Sequence, residues 1–577
     1  MAKRIPINRL FSKAIGLSAD RISREFGAPF RSLRLSVGKP NVFFDGRPKL
    51  NLGNRSEGKR LLRGQFTHIG QTLDVGVGGD PWRVASPSER FADWLHRFHW
   101  MEDLATLTEK SAPIRMRYLV DSWINEFGDF NSFAWELDIL TYRLFNWLRY
   151  WSPSLSTDSL GEVAQRRRIV TLKQLKYLRN NYGRTQTGLA RFMAAITIAL
   201  GGARLADKAE GYLDRALDWL DDEIHLQILP DGGHVSRSPE KAQKVLEALL
   251  TLDNILEARG IARSKAMGRA IDRLRPIMPF FSSGGGGLVS FNGGGEGDAK
   301  RFAKLLKHLN VTSRPFGYCP HTGYQRIEQE GTILIVDTGD VPDAPYDRDA
   351  HLGPLAFELS TGDGRLIVNC GWSDEQPFKW RAPMRATAAH STLTLDQVSS
   401  GRLVEGGLTE RLLGPVVARG AGAVKAQRKE QVDGLWLEAK HEGYREEYGL
   451  VHKRRFYMAM DGQDVRGEDS LLVPLGGTPL RRDTIPFAIR FHLHPTVKAT
   501  LAQDQKSALL IQANSKGWRL RTDGGALVIE PSFYLGYGHK PVKSQQIVIR
   551  GQAFGDGDGE TRSNRVRWSI RRLEARK

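Results

Sequence analysis

Two neighbouring stretches, DAHLGPLAFELSTGDGRLIVNCGW (Asp349 to Trp372) and MRATAAHSTLTLD (Met384 to Asp396), decide the fold of this chain. In the first stretch, alternate positions from Leu355 to Leu359 carry large apolar side chains, and a Gly-Asp-Gly turn leads into a second β-rich run. This pattern predicts a β-hairpin. His351 stands just before the first strand, and His390 stands just before a third. Because histidines at the ends of neighbouring strands can converge on one point, the stretch predicts a sheet with a site at its edge.

The sequence upstream of this hairpin has the period of helices. From about residue 85 to 280, apolar residues recur at i, i+3 and i+4, with short polar or glycine-containing breaks between the segments. This pattern favours consecutive antiparallel helix pairs. From about Gly323 onward, short alternating runs broken by Gly, Asp and Asn predict an antiparallel β-sandwich. The most glycine-dense segment, FFSSGGGGLVSFNGGGEGD (Phe280 to Asp298), lies between the helical pattern and the strand pattern and predicts a linker or loop.

Length and composition set further limits on the class of protein. A chain of 577 residues with 13 tryptophans and 40% hydrophobic residues is globular, and it is too long for one ordinary core. Cys319 and Cys370 cannot form a disulfide framework, and two free thiols are favoured over one bridge. The sequence contains no stretch of about 18 apolar residues, so no transmembrane helix is expected.

The N-terminus, MAKRIPINRLFSKAIGLSADRISREF, is basic but lacks the continuous apolar segment and the cleavage site of a secretory signal. Two interpretations stand: a short amphipathic helix in peripheral contact with an anionic membrane, or a solvated helix covering the helical domain. The second is favoured. A cytoplasmic location, or one peripheral to the membrane, is expected, and the periplasm stays open.

A formal net charge of +19 predicts an anionic partner, because a positive field concentrates anionic ligands and speeds their encounter. Nucleic acid, an anionic membrane surface and an acidic polysaccharide all fit this charge. No nucleic-acid-binding motif is recognisable, and the basic residues are spread along the chain, so no nucleic acid partner is expected. Solubility alone is the competing explanation.

Three segments contain candidate site residues. In ILPDGGHVSRSPEKAQKVLEALLTLDNI, a Pro-Asp-Gly-Gly turn presents His234 before a helix start, which suits a general acid/base or a sugar contact. The alternative is a tight turn with a solvated histidine. In TYRLFNWLRYW, Arg143 and Asn146 lie on neighbouring helical turns, and Arg385 flanks the sheet histidines; these residues are candidate substrate-binding groups. The competing interpretation places most of that helix in the core. FNGGGEGD contains Asn292 but lacks the Lys-Ser/Thr of a phosphate loop.

Taken together, these segments resemble the heparinase II/III-like polysaccharide lyases. The resemblance runs from about Phe133 to Pro495 and rests on motifs that are specific only in combination: WELDILTYRLFNWLRYW, DGGHVSRSPEKAQKVLEALLTLDNI, FNGGGEGDA, GYQRIEQEGTILIVDTGD, DAHLGPLAFELSTGDGRLIVNCG, ATAAHSTLTLD, HEGYREEYGLVHKRRF and RFHLHP. It implies an α+β multidomain fold in which an incomplete (α/α) toroid precedes an antiparallel β-sandwich. The expected domains are a basic N-terminal segment packing on the toroid over residues 1–84, the toroid over 85–310 and the sandwich over 311–577.

The resemblance also implies an activity and a set of roles. Lyases of this kind cleave a uronate-containing poly- or oligosaccharide by β-elimination, which requires a neutralised carboxylate, a base and an acid. On that basis, His234 and Arg237 would neutralise the carboxylate, His390 would transfer the proton, and Tyr324 is a weaker candidate for the same step. Asp349 stands where the family has a histidine and could replace it as a base.

Binding residues and a metal follow from the same resemblance. Asn292 best matches a family loop residue at the toroid mouth. Some relatives hold a structural zinc in the sheet, and the matching residues here are His351, Asn369 and His390. An amide is a poorer zinc ligand than a carboxylate. No cofactor is therefore required, and a structural zinc is possible.

Several departures from the family pattern favour a second function. Besides Asp349, Lys241 and Ala242 replace a common Tyr-His pair, Arg237 stands where many relatives have an acidic residue, and RTQTGLARF (Arg184 to Phe192) replaces a Gly-Asn-His stretch. A lyase acting on an acidic polysaccharide remains the first prediction. The alternative is a non-catalytic protein that binds an acidic carbohydrate through a degenerate lyase site, and a basic scaffold for nucleic acid or membrane ranks third.

Overall fold

The computed structural model describes residues 43–46, 48–151, 161–205, 210–362, 364–404, 414–474, 483–513, 516–554 and 564–573, with a few isolated positions between them. The predicted N-terminal helix and its membrane contact fall in residues 1–34 and lie outside the described residues. Helices dominate the described chain as far as Leu309, and strands dominate it from Tyr318. The α+β architecture is therefore confirmed, and the domain limits stay a prediction.

Consecutive helices form the N-terminal half. Helix α5 begins after an extended Glu136, whereas the long helix α9 begins at Pro239, where the fixed φ of proline favours a first helical turn. The described helices are α1 (Arg55–Leu62), α2 (Glu89–Arg97), α3 (Met101–Leu104), α4 (Ser111–Phe127), α5 (Leu137–Arg149), α6 (Glu162–Asn180), α7 (Leu189–Arg204), α8 (Glu210–Gln227), α9 (Pro239–Ala258), α10 (Lys265–Phe280), α11 (Ala299–Leu309) and the short α12 (Arg445–Tyr448). Helix α7 packs against α5, α8 and α9, so it lies at the centre of the helical half.

A small hairpin, β1 (Gln65–His68) with β2 (Gln71–Asp74), belongs to the N-terminal segment. This segment packs on the helices: α1 contacts α3 and α4, and the buried Arg204 guanidinium donates to the carbonyls of Phe44 and Gly46. The described part of the N-terminal segment, from Phe43 onward, therefore packs on the helical half, whereas the predicted helix before it stays a prediction.

Two large antiparallel sheets form the C-terminal half. Sheet A runs in the order β19-β20-β15-β7-β6-β5-β4-β3, with β8 paired to β15; sheet B runs in the order β11-β12-β13-β14-β21-β18-β17-β16. The strands of sheet A are β3 (Tyr318–Cys319), β4 (Tyr324–Gln329), β5 (Thr332–Asp337), β6 (Phe357–Thr361), β7 (Gly364–Val368), β8 (Leu393–Leu395), β15 (Thr484–Leu493), β19 (Leu527–Tyr534) and β20 (Val542–Phe554). Those of sheet B are β11 (Val424–Glu430), β12 (Gly434–His441), β13 (Val451–Ala459), β14 (Asp464–Leu472), β16 (Lys498–Leu501), β17 (Ser507–Ile511), β18 (Gly517–Thr522) and β21 (Arg565–Arg572). The predicted hairpin is β6 with β7, and β9 (Arg402–Leu403) with β10 (Val417–Arg419) forms a separate small ladder.

The central strands of sheet A, β5 to β7, are buried on both faces. One face joins the core of the helical half through Tyr324, Ile333 and Ile335, and the other face packs on sheet B through residues such as Leu334 and Phe357. All six residues of β5 are buried, which explains why TILIVD is a continuous apolar run rather than an alternating one. The molecule is thus layered as helices, sheet A and sheet B, and the edge of sheet A that meets the helices can form a site.

The glycine-rich stretch is a loop that passes along this junction. A Cβ on Gly295 would lie 2.1 Å from the carbonyl oxygen of Gly536, and one on Gly293, which has φ +78°, would lie 2.4 Å from the Cβ of Asp349. Only glycine fits such close approaches. The glycines therefore let the loop pass through the junction, and no feature of the loop is specific for phosphate.

Within the described ranges, no helix has both the length and the apolar character needed to cross a membrane.

Candidate functional site

A cleft of about 630 Å³ opens where the helical half meets the edge of sheet A. Its walls come from the start of α5, the connection between α6 and α7, the loop before α9, and the turn that precedes β6. Two of the predicted site residues, His234 and Asp349, line it, together with Lys241 and Arg381. The cleft is therefore the place where the sequence-derived site and the structure agree.

His234 is held rigidly in the wall of the cleft. Asp231 caps the turn before it by accepting from the backbone N–H groups of His321 and Thr322. The Nδ1 atom of His234 accepts from the backbone N–H of Ser236 at 3.1 Å, so its Nε2–H is the donor to Gln227 Oε1 at 3.0 Å. Burial lowers the pKa of His234 to about 3. The ring is therefore neutral at pH 7, with a hydrogen-bond partner at each nitrogen.

Asp349 is held between two cations. Its Oδ2 lies 2.6 Å from the Nζ of Lys241, and its Oδ1 accepts from the guanidinium of Arg381. Burial alone would raise the pKa of Asp349, but the charges of Lys241 and Arg381 outweigh this effect and lower that pKa below its usual range. Two positions at which the chain departs from the family pattern, Asp349 and Lys241, therefore form an ion pair with each other.

The sheet histidines meet at the edge of sheet A, as their placement before β6 and β8 predicted. His390 Nδ1–H donates to the carbonyl of Ala386 at 2.8 Å, so His390 Nε2 accepts from His351 Nδ1–H at 2.8 Å. His351 Nε2 accepts in turn from the backbone N–H of Gly293 at 2.9 Å. Burial lowers the pKa of His390 to about 4 and that of His351 well below its usual value. Both rings are neutral, and all four nitrogens have a partner.

This arrangement does not fit a zinc ion. Zinc binding requires an unprotonated nitrogen lone pair directed at the metal from each histidine, whereas these two rings bond to each other. Asn369 directs its Oδ1 to the backbone N–H of Ser391 at 3.0 Å rather than to the histidines. Within the described part of the chain, no group of three or more His, Cys, Asp or Glu residues could hold a metal ion. The hydrogen-bonded pair also leaves His390 without a free nitrogen for proton transfer in this structure.

Arg237, Tyr324 and Asn292 are structural in this arrangement. The buried Arg237 guanidinium donates to several backbone carbonyls and to Asp337, which joins the loop before α9 to sheet A. Tyr324 donates its hydroxyl to the carbonyl of Arg237 and accepts from Asn292 Nδ2, each at 2.7 Å. Burial raises the pKa of Tyr324 above its usual value. The predicted proton-transfer role of Tyr324 and the predicted carboxylate-binding role of Arg237 are therefore not supported, because both side chains are enclosed.

The predicted substrate-binding residues are also enclosed. Arg143 stacks on Trp123 with 4.2 Å between its guanidinium carbon and the ring centre, and it donates to Gln174 and to the carbonyl of Ala134. Asn146 donates to the carbonyl of Arg97 at 2.9 Å. These two residues face the core of the helical half, as the competing interpretation had it, and not the cleft.

Arg385, a predicted substrate-binding residue, is enclosed, and the nearby Arg381 lines the cleft instead. Arg385 is 1% exposed and donates to the carbonyls of Ala350 and Asp347, whereas Arg381 lines the cleft. The two arginines lie on successive short helical turns, and nothing in their sequence neighbourhood distinguishes the buried one from the open one. Sequence reasoning kept the wrong arginine for this reason.

Sequence reasoning also missed the aromatic side chains of the cleft. Trp135, Tyr142, Tyr177 and Tyr346 line it, and burial raises the pKa of Tyr142 to about 12. These tyrosines come from three separate segments, and only the fold brings them together. At neutral pH they are protonated hydrogen-bond donors and flat apolar surfaces.

The charges of the cleft balance. Four cations line it, Arg184, Lys241, Arg348 and Arg381, and so do four carboxylates, Glu136, Asp138, Asp349 and Asp374. The formal charge of +19 is therefore not concentrated in this site.

Comparisons with known proteins bear on the whole chain. Residues 311–569 match the family model described as "Heparinase II/III-like, C-terminal". FtsZ-localized protein C of Caulobacter vibrioides is 34% identical over 567 residues, covering 96% of this chain and 95% of that protein. A crystal structure of heparinase III superimposes with a TM-score of 0.64 at 14% identity, covering 99% of this chain and 93% of that one. Heparan sulfate lyase HepC from Pedobacter heparinus gives 0.58 at 14% identity, with 92% and 86% covered. At this identity, the two solved structures show a shared fold.

Proposed function

Because this chain belongs to the heparinase II/III-like family, we propose that it uses the cleft of a polysaccharide lyase fold to bind a saccharide chain without cleaving it. The ion pairs of Asp349 with Lys241 and Arg381 are the observation that carries this proposal. They occupy the place where the family pattern has a histidine and a tyrosine.

Cleavage by β-elimination needs a group that can accept the proton from the sugar carbon and another that can donate to the leaving oxygen. The lowered pKa of Asp349 makes it a weak base, and its cationic neighbour Lys241 has no lone pair to accept a proton. His234 is neutral but has both nitrogens engaged within the wall of the cleft. Tyr142, with a pKa raised to about 12, stays protonated. Among the described side chains of the cleft, Asp349, Lys241, His234 and Tyr142 are therefore poorly suited to start the elimination.

Binding is supported by the other lining residues. Aromatic side chains provide flat apolar surfaces with a polar edge, which suits the apolar face and hydroxyl rim of a sugar ring. Tyr142 and Tyr346 offer hydroxyl donors, and the balanced charges offer both donors and acceptors. A uronate carboxylate would have to compete with Asp349 for Lys241 and Arg381, so uronate content is not required of the ligand.

A binding measurement with a cleft variant tests this proposal. We expect the protein to retain at least one glycan from a panel that includes heparan sulfate, chondroitin sulfate, alginate and neutral glucans. Tyr346→Ala, which removes a half-buried ring from the cleft, should weaken that retention about tenfold. Tyr318→Ala is the matched control, because Tyr318 is 56% exposed and does not line the cleft. Failure to retain any glycan, or equal effects of the two variants, would count against a binding cleft.

A second function is favoured by the similarity to FtsZ-localized protein C, which extends over 96% of this chain. We propose that this chain also localises with FtsZ, on the same side of the membrane as FtsZ. Cosedimentation of the purified protein with polymerised FtsZ from the same organism, compared with unpolymerised FtsZ, tests this directly. Recovery in the polymer pellet is the expected result. Equal recovery with and without polymer would contradict it, and neither outcome depends on the glycan assay.

A further inference from the structure

The outward face of sheet B is strongly basic. Along its strands, exposed or half-exposed positions alternate with buried ones, so one set of side chains packs on sheet A and the other faces away from the molecule. The outward set is called the outer face. It contains twelve cationic side chains and three carboxylates. The cations are Lys425, Lys429, Lys440, Lys453, Arg455, Arg466, Lys498, Arg519, Arg521, Arg565, Arg567 and Arg571; the carboxylates are Glu438, Asp464 and Glu468.

This excess of nine charges is about half of the formal net charge of the chain. The three carboxylates gather at the middle and one end of the outer face, where Arg455 bridges Glu438 and Glu468 and where Arg571 pairs with Asp464. One row across the sheet forms no such ion pair, although the charges of Lys453 and Lys440 contribute to lowering the pKa of the nearby Glu438. This row runs through the register partners Lys425, Lys440, Lys453, Ser470 and Arg565. In the parts of the chain that the structure describes, no carboxylate forms an ion pair with these four cations.

The charged rows surround two aromatic rings. Trp436 is 40% exposed, and its ring centre lies 4.7 Å from that of Tyr457 on the neighbouring strand. A shallow depression of about 520 Å³ beside them is lined also by Arg466, Arg521 and Arg567. Arginine beside an exposed aromatic ring is the combination that anchors protein interfaces, because it offers bidentate carboxylate binding next to apolar area. The outer face and the cleft lie on opposite sides of the two packed sheets.

The spacing of the arginines suits one kind of anion. Arg565, Arg567 and Arg571 lie on β21 at steps of two residues or multiples of two, and Arg519 and Arg521 repeat that step on the adjacent β18. Outward side chains on one strand recur about every 6.8 Å. In an extended polypeptide, side chains on one face recur at the same distance, so acidic residues at alternate positions would be in step with these arginines. Arg567 and Arg571 already pair with Glu468 and Asp464, whereas Arg519, Arg521 and Arg565 form no ion pair with a described carboxylate.

We infer that the outer face of sheet B binds an extended acidic segment of another protein, lying parallel to β21 and β18. The arginines pair with the carboxylates of the segment, and the rings of Trp436 and Tyr457 contact an apolar side chain within it. Charge attraction of this kind speeds encounter and weakens with added salt. The flat, open shape of the face suits a chain that lies across it rather than a small ligand that must be enclosed.

A labelled peptide tests the inference on the full-length protein. The probe is a fluorescein-labelled peptide of about 16 residues with alternating Glu and Ser, measured by fluorescence anisotropy at about 100 mM salt. The triple variant Arg519→Gln, Arg521→Gln, Arg565→Gln should weaken binding about tenfold. These three side chains form no ion pair with a described carboxylate, so their loss should leave stability nearly unchanged.

A matched triple variant separates a local site from the effect of net charge. Lys265→Gln, Arg269→Gln, Arg273→Gln removes the same charge from exposed positions of α10, on the helical half. We expect it to change the peptide affinity by less than about twofold. Equal losses in the two triple variants, or no binding to the wild-type protein, would overturn the inference.

Two further arms decide the chemistry of the partner. A peptide with the same composition but with Glu in blocks of four should bind about threefold more weakly, because half its carboxylates face away from the sheet. Equal affinity of the two peptides would overturn the proposed seating along the strands. Heparin oligosaccharides and phosphatidylglycerol vesicles serve as the other probes. If either binds through the same three arginines while the peptides do not, the partner is a glycan or a lipid surface and the inference of an acidic protein segment fails.

Discussion

At the level of single residues, the proposed loss of cleavage depends on Asp349, whose carboxylate is shared by Lys241 and Arg381. A histidine in its place could exchange a proton near neutral pH, whereas a carboxylate between two cations stays ionised. The same substitution that removes a proton-transfer group therefore adds a structural ion pair between the helical half and the loops of sheet A.

This ion pair makes Asp349→Asn a test with a defined pH dependence. All three side chains are no more than about a quarter exposed, so the variant should lose about 1–3 kcal/mol of unfolding free energy at pH 7. A lowered folded-state pKa means that the stabilisation is complete above the unfolded-state pKa, about 3.9, and is lost as pH falls through the lower folded-state pKa. Urea denaturation of both proteins should thus show a constant difference from pH 7 to 5 and a shrinking one below about pH 4. A difference that is absent at pH 7, or that grows on acidification, would contradict this account.

The histidine pair gives a second prediction at this scale. His351 and His390 bond to each other, so no metal is needed to hold them. Dialysis against a chelator should leave the thermal midpoint within about 1 °C, whereas removal of a structural zinc would cost several degrees. Elemental analysis measures the zinc content of the protein before and after dialysis. A bound equivalent of zinc whose removal lowers the midpoint would restore the zinc prediction.

The sequence predicted where several site residues lie relative to the strands, but not whether their side chains point into the core or into the cleft. His351 and His390 precede neighbouring strands, so their meeting follows from the strand pattern. The burial of Arg143 and Arg385, and the opening of Arg381 to the cleft, depend on which side chains pack beneath each helix or turn. No local period in the sequence carries that information, because an arginine with a long apolar stem suits both places.

At the level of secondary-structure elements, the ion pairs on the two faces of sheet B differ in their exposure to solvent. On the inner face, Asp469 accepts from Arg454, His452 and the indole of Trp568, and Arg454 and Asp469 are fully buried. On the outer face, Glu438 and Arg455 are 40% and 44% exposed. The same ion-pair chemistry therefore has different energetic weight on the two faces.

Two isosteric substitutions measure this difference. Asp469→Asn leaves the buried Arg454 without its counter-ion and should cost about 3–5 kcal/mol of unfolding free energy. Glu438→Gln, on a neighbouring strand, should cost less than about 1 kcal/mol because water and salt screen the exposed pair. Urea denaturation at one pH compares them. Similar losses of unfolding free energy in the two variants would contradict the burial of the Asp469 ion pair.

The types of most elements were predictable, because the change from a helical period to alternation falls near the point where helices give way to strands. The helix Ala299–Leu309 lies beyond the predicted helical region, which ended at about residue 280. Which of the two sheets a strand joins was not predictable. TILIVD of β5 has no alternation, since it is covered on both faces, whereas β12 alternates cleanly because its outer face meets water. The basic outer face itself required the register of eight strands, since its cations come from seven separate strands of the sheet.

At the scale of the whole molecule, the helical half and sheet A share one core. Tyr324, Ile333 and Ile335 of sheet A pack within the same cluster as the helices, and sheet A packs in turn on sheet B. The two halves should therefore unfold together, although chains of this length often unfold in stages. Helical circular dichroism at 222 nm and tryptophan fluorescence, followed on the same urea series, should give coincident transitions. A fluorescence transition clearly separated from the loss of helix would contradict a shared core.

The distribution of charge also belongs to the whole molecule. The sequence predicted an anionic partner from +19 formal charges. The charges of the cleft are balanced, whereas the outer face of sheet B has an excess of nine positive charges. The net charge predicted an anionic partner but not the surface that would bind it. The cations are scattered along the sequence, and only the fold brings them together on one surface.

We propose that this chain keeps the lyase fold but not the elimination chemistry. The most direct test of this proposal is the near-ultraviolet absorbance of the unsaturated uronate product, recorded with the wild-type protein on heparin, heparan sulfate, alginate and chondroitin sulfate, beside an active heparinase III as positive control. We predict no absorbance rise on any polymer, including those that the protein retains. A rise with the wild-type protein that Lys241→Ala or Asp349→Ala abolishes would contradict the claim and show that this ion pair serves catalysis.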